Sequence, residues 1–110
     1  MKPPKLLRTV FTRAVEIIEK RGWYRGSFIP PGANEKTCPV CIWAALKVAT
    51  GIGPDYPSIR SPDTEALDFI SDLIGTRAWI WQDAEGRKKY QVIAALKRAA
   101  KAAGNRRVTP

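Results

Sequence analysis

The chain contains one pair of cysteines, spaced C-x-x-C in the segment Cys38-Pro39-Val40-Cys41. Such a pair at a helix N-terminus can have a lowered thiol pKa and act as a redox dithiol. Redox pairs normally lie in a strand–helix–strand unit, however, and the residues upstream show helical periodicity. Zinc needs four ligands, so two cysteines without histidine could complete a site only in a dimer. We therefore expect buried structural thiols, with redox chemistry and a shared dimer metal site as the alternatives.

Three carboxylates share one face of a predicted helix: Glu65, Asp68 and Asp72, at positions i, i+3 and i+7. Hydrolases and metal enzymes use such groups, but a magnesium site needs additional ligands that no nearby pattern supplies. Repulsion between like charges on a helix costs only about 0.2–0.5 kcal/mol, so the cluster requires no functional explanation. We expect a solvated face, or one neutralised by the basic C-terminal helix.

The usual catalytic patterns are missing from the sequence. There is no histidine, which is the commonest general base, and no serine stands in a nucleophile elbow. The turn Gly51-Ile-Gly53-Pro54 lacks the lysine of a phosphate-binding loop. We therefore expect a protein that is not an enzyme, with no cofactor, no metal and no small-molecule substrate.

Charge is strongly segregated along the chain, which has a net charge of +9. Residues 61–86 carry six carboxylates and one arginine, whereas residues 87–110 carry eight lysines and arginines and no carboxylate. Nucleic acid is the commonest partner of such a balance, followed by an acidic protein surface. The candidate contacts are seven cations of this last segment: Lys88, Lys89, Lys97, Arg98, Lys101, Arg106 and Arg107.

Tryptophans in the predicted loops are possible aromatic contacts, namely Trp23, Trp79 and Trp81. Beside Arg77 and Arg87, the last two could form a stacking platform for single-stranded nucleic acid. Large aromatic side chains are mostly buried, however. We therefore expect these residues mainly to plug the ends of the helical core.

Hydrophobic periodicity predicts an all-α fold: a single small domain of about four helices joined by long, aromatic-bearing loops. The expected helices are residues 4–21, 38–50, 62–74 and 88–103, the second with Thr37 as its cap and the last with Tyr90 among its inward-facing residues. The domain is expected to span 1–104, followed by a flexible basic tail at 105–110. No apolar run approaches the ~20 residues of a membrane span, and the N-terminus shows no signal-peptide pattern. We therefore expect a cytoplasmic protein without a membrane partner.

Three segments together resemble a family of small uncharacterised proteins of actinobacteria and their phages. Residues 19–26 match its E-x-x-G-W-x-x-G helix exit, Cys41 lies in the Cys-containing core helix, and residues 81–87 resemble its W-N-D-x-x-G-R loop. Gln82 replaces the usual asparagine, and Lys88 stands where a Ser or Thr cap is typical. The resemblance covers about residues 14–100 and implies a fold and a bacterial host, not an activity.

Two functions remain open from the sequence. The first is a small basic protein, of the phage origin that the resemblance allows, that binds nucleic acid mainly through its phosphates. The second is a protein-interaction module that binds and modulates a host protein, with charged faces guiding the encounter. Contact between an aromatic patch at 23–29 and one at 77–83 would favour the second function.

Overall fold

A computed structural model describes residues 3–109, and within them the fold is all-α, as predicted. The described chain forms five helices and no sheet. The helices are α1 (Leu7–Arg21), α2 (Ile42–Ala49), α3 (Pro62–Ile74), α4 (Ala78–Gln82) and α5 (Lys89–Ala103). None of the helices in residues 3–109 combines the length and apolar character needed to cross a bilayer.

The second helix begins later than its sequence pattern predicts. Residues 38–41 are not helical: Val40 forms an isolated parallel bridge with Trp23, and Cys41 has extended backbone dihedrals. The backbone N–H of Val40 donates to the Gly22 carbonyl at 3.2 Å, and that of Tyr24 donates to the Val40 carbonyl at 2.9 Å. Helix α2 therefore starts at Ile42, with Cys41 instead of Thr37 as its N-cap.

The aromatic connection after α3 also differs from expectation. It was expected to be a loop, but Ala78–Gln82 forms the short helix α4, whose Ala78 is fully buried. The Ser71 hydroxyl accepts a hydrogen bond from the Ala78 N–H at 3.0 Å and thereby ties α4 to α3. The fold therefore has five helices in its described residues, where the periodicity predicts about four.

The core lies between α1 and its two main neighbours, α2 and α5. Val10, Phe11 and Ile18 of α1 are fully buried, as are Leu46 of α2 and Leu96 of α5. The end of α5 lies beside the start of α1, since the Leu7 N–H donates to the Arg106 carbonyl at 2.9 Å. This arrangement leaves one side of α5 facing outward.

The predicted flexible segment, residues 105–110, contacts the start of the chain over its described part. Leu6 and Arg107 form an antiparallel bridge, and the Val108 N–H donates to the Lys5 carbonyl at 2.9 Å. Met1, Lys2 and Pro110 lie outside the described residues. The start of the N-terminal segment that was searched for a signal peptide and the last residue of the predicted tail therefore lie outside them as well.

Gln82 joins three parts of the fold through its buried amide. Its Oε1 accepts hydrogen bonds from the Trp23 indole N–H at 2.8 Å and from the Ile42 backbone N–H at 2.9 Å. Its Nε2 donates to Asp83 Oδ1 at 2.6 Å, and the same oxygen accepts from the Gly26 N–H at 3.1 Å. The sequence motif around residue 82 is therefore a joint between α4, the start of α2 and residues 23–26.

Replacing this amide should destabilise the fold. We expect Gln82→Ala to lower the free energy of unfolding by about 2 kcal/mol, because the buried Ile42 N–H and the part-buried Trp23 indole N–H would lose their acceptor. Gln91→Ala is the matched control: the Gln91 amide accepts only the exposed Lys88 N–H, so its loss should cost about 0.5–1 kcal/mol. Urea unfolding followed by tryptophan fluorescence measures both, and equal losses would contradict this role of Gln82.

Candidate functional site: the outer face of the last helix

The outer face of α5 brings together three of the predicted cations. Val92, Leu96, Ala99 and Ala103 recur at helical spacing and are buried against the core. At 100° per residue, the opposite face holds exposed residues only: Tyr90, Ala94, Lys97, Arg98 and Lys101. The amphipathic pattern of α5 therefore turns Lys97, Arg98 and Lys101 toward solvent on one surface, which we call the outer α5 face.

These three cations form no ion pair with any described residue. Across residues 3–109, the structure shows an ion pair for Lys47 and Asp63 and none for Lys97, Arg98 or Lys101. A rise of about 1.5 Å per residue separates Lys97 from Lys101 by about 6 Å along the axis. The outer α5 face is therefore a compact, positively charged surface that is available to an anionic partner.

The structure separates the other four predicted cations from this face. Lys88 and Lys89 are exposed at the start of α5. Arg106 lies with its guanidinium 5.4 Å from the centre of the Phe69 ring, and Arg107 bridges to Leu6. The seven predicted contacts are therefore distributed over both ends of α5 and its C-terminal extension.

The acidic face of α3 meets the C-terminal segment, where the sequence suggested the basic helix itself. Glu65 accepts hydrogen bonds from the Thr109 N–H at 2.9 Å and from the Thr109 hydroxyl at 3.2 Å. Asp68 and Asp72 line a cleft of about 360 Å³ together with Arg106. Part of the acidic surface thus lies against the C-terminal segment and not against the outer α5 face.

The three predicted aromatic contacts are half-buried and take part in packing. Trp79 lies 5.5 Å from Trp43, measured between ring centres. Trp81 is covered on one face by the Arg87 guanidinium, 4.0 Å from the ring centre, and Trp23 donates to Gln82. The segments 23–26 and 82–84 do contact each other, but the rings of Trp23, Trp79 and Trp81 contact other residues of the protein and form no shared exposed patch.

Both cysteines are buried and free. Cys41 caps α2, where its Sγ accepts a hydrogen bond from the Ala44 N–H at 3.3 Å. Burial raises the pKa of the Cys41 thiol to about 11, so the thiol stays protonated at neutral pH. A protonated, buried thiol is a poor nucleophile, and this geometry favours the structural role over redox chemistry.

A buried ion pair was not singled out from the sequence. Lys47 is 1% exposed and Asp63 is fully buried, and Lys47 Nζ lies 3.5 Å from Asp63 Oδ2. The ammonium also donates to the Tyr56 carbonyl at 2.6 Å and to the Ser58 hydroxyl at 2.7 Å. The Trp43 ring centre lies 4.9 Å from the same nitrogen. The signal in the sequence was a single lysine in an otherwise apolar helix.

The buried Asp63 carboxylate is also well supplied with hydrogen-bond donors. Asp63 accepts hydrogen bonds from the hydroxyls of Ser58 and Ser61 and from the Trp43 indole. Burial by itself raises the pKa of a carboxyl, but these three hydrogen bonds and the Lys47 charge outweigh it. The pKa of Asp63 therefore lies below its usual value, and the side chain is ionised at neutral pH.

This pair fixes the connection between α2 and α3 on the protein surface. On the buried side of the connection, the Lys47 ammonium donates hydrogen bonds to the Tyr56 backbone and to the Ser58 side chain. On the solvent side of the connection, the side chains of Tyr56 and Ile59 are 59% and 86% exposed. Arg60 adopts a positive φ of 55°, which is uncommon for a residue with a side chain. The connection is therefore irregular in shape but firmly anchored.

Removing the buried ammonium should destabilise the protein strongly. We expect Lys47→Met to lower the free energy of unfolding by about 3–5 kcal/mol, because Asp63 would remain as an uncompensated buried charge. The same substitution at exposed Lys97 is the control and should change it by less than about 0.5 kcal/mol. Urea denaturation measures both, and a Lys47→Met variant as stable as Lys97→Met would contradict the pairing described above.

The thiols should be unreactive in the folded protein. We expect an aromatic disulfide reagent at about pH 7.5 to label both cysteines only at the rate of unfolding, since burial and the raised pKa of Cys41 suppress the thiolate. In denaturant, the same reagent should label both at once. Rapid labelling of either thiol under native conditions would instead indicate an accessible, activated cysteine.

Comparison with known proteins supplies a family but no characterised relative. No curated protein and no solved structure matches the chain. The model of a family of unknown function, DUF6197, matches residues 2–102, which is nearly the whole chain. The matched range includes the Gln82 joint, the buried Lys47–Asp63 pair and the outer α5 face described above. The protein belongs to this family, DUF6197.

Proposed function

We propose that this protein is a non-enzymatic nucleic-acid-binding protein that contacts phosphates through the outer α5 face. The observation that carries the proposal is the trio Lys97, Arg98 and Lys101: exposed, on one helix face, and without an ion pair in residues 3–109. A chain with a net charge of +9 adds a long-range attraction for a polyanion.

The dimensions of the surface fit a nucleic-acid backbone. On the outer α5 face, Tyr90 and Lys101 are eleven residues apart, which corresponds to about 16.5 Å at 1.5 Å per residue. A duplex places one phosphate per strand about every 3.4 Å along its axis, so this length spans about five base pairs. Lysine and arginine contacts with phosphates supply affinity and position without reading sequence.

The setting of this activity follows from the resemblance to proteins of actinobacteria and their phages. We place the protein in the cytoplasm of a bacterial host, where a phage product of this kind would meet nucleic acid. The absence of a histidine and of a nucleophile motif supports a binding role instead of catalysis.

Removing two lysines from the outer α5 face should weaken binding and its salt dependence. We expect the double variant Lys97→Ala, Lys101→Ala to reduce the slope of log affinity against log salt by about 2 for a duplex, since each phosphate contact contributes about 0.9. Fluorescence anisotropy with nuclease-treated protein and labelled random DNA, at several salt concentrations, measures the slope.

A second double variant serves as the matched control. Lys20 and Lys36 are exposed and line a cleft beside Val48, on the α2 side of α1. Replacing both with alanine removes the same amount of charge. Because these lysines lie outside the outer α5 face, we expect the slope of log affinity against log salt to stay nearly unchanged. Equal effects of the two variants would show that net charge alone drives binding and would contradict a defined site.

A protein-interaction module remains the second candidate, and one observation favours it. The anchored connection between α2 and α3 exposes Tyr56 and Ile59, and large apolar side chains on a fixed surface are typical of a docking site for another protein. The host partner would then be recognised through this surface. Absence of DNA and RNA binding at low and at near-physiological salt would remove the nucleic-acid proposal and favour this one.

A further inference from the structure

We propose that the outer α5 face binds single-stranded nucleic acid in preference to a duplex, with Tyr90 stacking on an unpaired base while Lys97 and Lys101 contact the phosphates. The inference rests on the proposed function and adds the kind of strand that is bound. It also assigns a contact residue that the periodicity of the sequence placed in the core.

Tyr90 is an exposed aromatic side chain that has no partner in the part of the chain that the structure describes. Its side chain is 70% exposed. Among residues 3–109, no aromatic ring and no cation lies against the Tyr90 ring, and its hydroxyl makes no hydrogen bond. Trp43 and Trp79, by contrast, contact each other, and Arg87 covers one face of Trp81. Tyr90 is therefore the free ring on the basic side of α5.

The position of Tyr90 on the helix leaves its ring accessible. Ala94 lies one turn further along the same face and carries only a methyl group. Side chains on a helix lean toward its N-terminus, so the Tyr90 ring lies over the start of α5, away from Lys97. Lys97 follows after two turns, about 10.5 Å along the axis. A base on the ring and a phosphate at Lys97 can therefore belong to neighbouring nucleotides.

The combination of charge and ring distinguishes single strands from duplexes. In a duplex the bases are stacked inside, so an exposed ring on a helix surface meets the backbone and finds no base face. In a single strand the bases are free to stack on an aromatic side chain, and the contact tolerates any sequence because every base has such a face. Without an exposed ring, the three cations would bind the phosphates of single strands and of duplexes and would not distinguish between them.

The test separates the base contact from the phosphate contacts. Labelled strands of about 12 nucleotides are compared by fluorescence anisotropy: a thymidine strand, an abasic strand of the same length, and a duplex. We expect Tyr90→Ala to weaken binding of the thymidine strand about tenfold and to leave the abasic strand and the duplex unchanged. Tyr90→Phe keeps the ring and should bind like the original protein.

The Lys97→Ala, Lys101→Ala variant provides the complementary readout, because it should weaken binding of all three ligands. Tyr90 is exposed, so circular dichroism of Tyr90→Ala should match that of the original protein and exclude misfolding as the cause. A Tyr90→Ala protein that binds the thymidine strand normally, or that loses the abasic strand equally, overturns the base contact while the proposed function stands. No binding of any strand by the original protein overturns both.

Discussion

A buried charge must be paired and hydrogen-bonded, and Lys47 imposes this requirement on a large part of the chain. Its ammonium sits at the centre of the contacts between α2, the start of α3 and residues 56–58. Moving any one of these elements would leave either a lysine or an aspartate charged in a low-dielectric interior. The pair thus sets the position of the connection between α2 and α3, which has no regular secondary structure of its own.

The buried Lys47–Asp63 pair also positions a group of aromatic side chains. The Trp43 indole donates to Asp63 and its ring lies against the Lys47 ammonium. Phe28 and Trp79 then pack on Trp43, at 5.3 and 5.5 Å between ring centres. The long loops are therefore attached to the core through one half-buried ring, in keeping with the expectation that their aromatic side chains cover its ends. Gln82 completes the attachment by binding Trp23 and the start of α2.

The buried charges of the protein are paired, whereas the exposed cations of α5 are not. Inside, Lys47 and Asp63 satisfy each other; on the outer α5 face, Lys97, Arg98 and Lys101 have no partner in the described residues. Repulsion among neighbouring cations on a helix is a small cost, about 0.2–0.5 kcal/mol per pair. A surface that carries this cost and also exposes an aromatic ring is suited to an anionic partner with flat groups, which is the basis of the function that we propose.

By itself, the sequence determined the all-α class, the approximate bounds of α1, α3 and α5, and the segregation of charge, because helical periodicity and caps are local properties. It was wrong about Tyr90, which matched the apolar period but lies at the exposed first turn of α5. It was also wrong about the start of α2, since the bridge between Val40 and Trp23 joins residues that are distant in the chain. Only the tertiary structure decided that Lys47 and Asp63 are partners and that the Arg106 guanidinium lies against Phe69 of α3. Those outcomes depend on how helices approach one another in space, and no local pattern of residues encodes that.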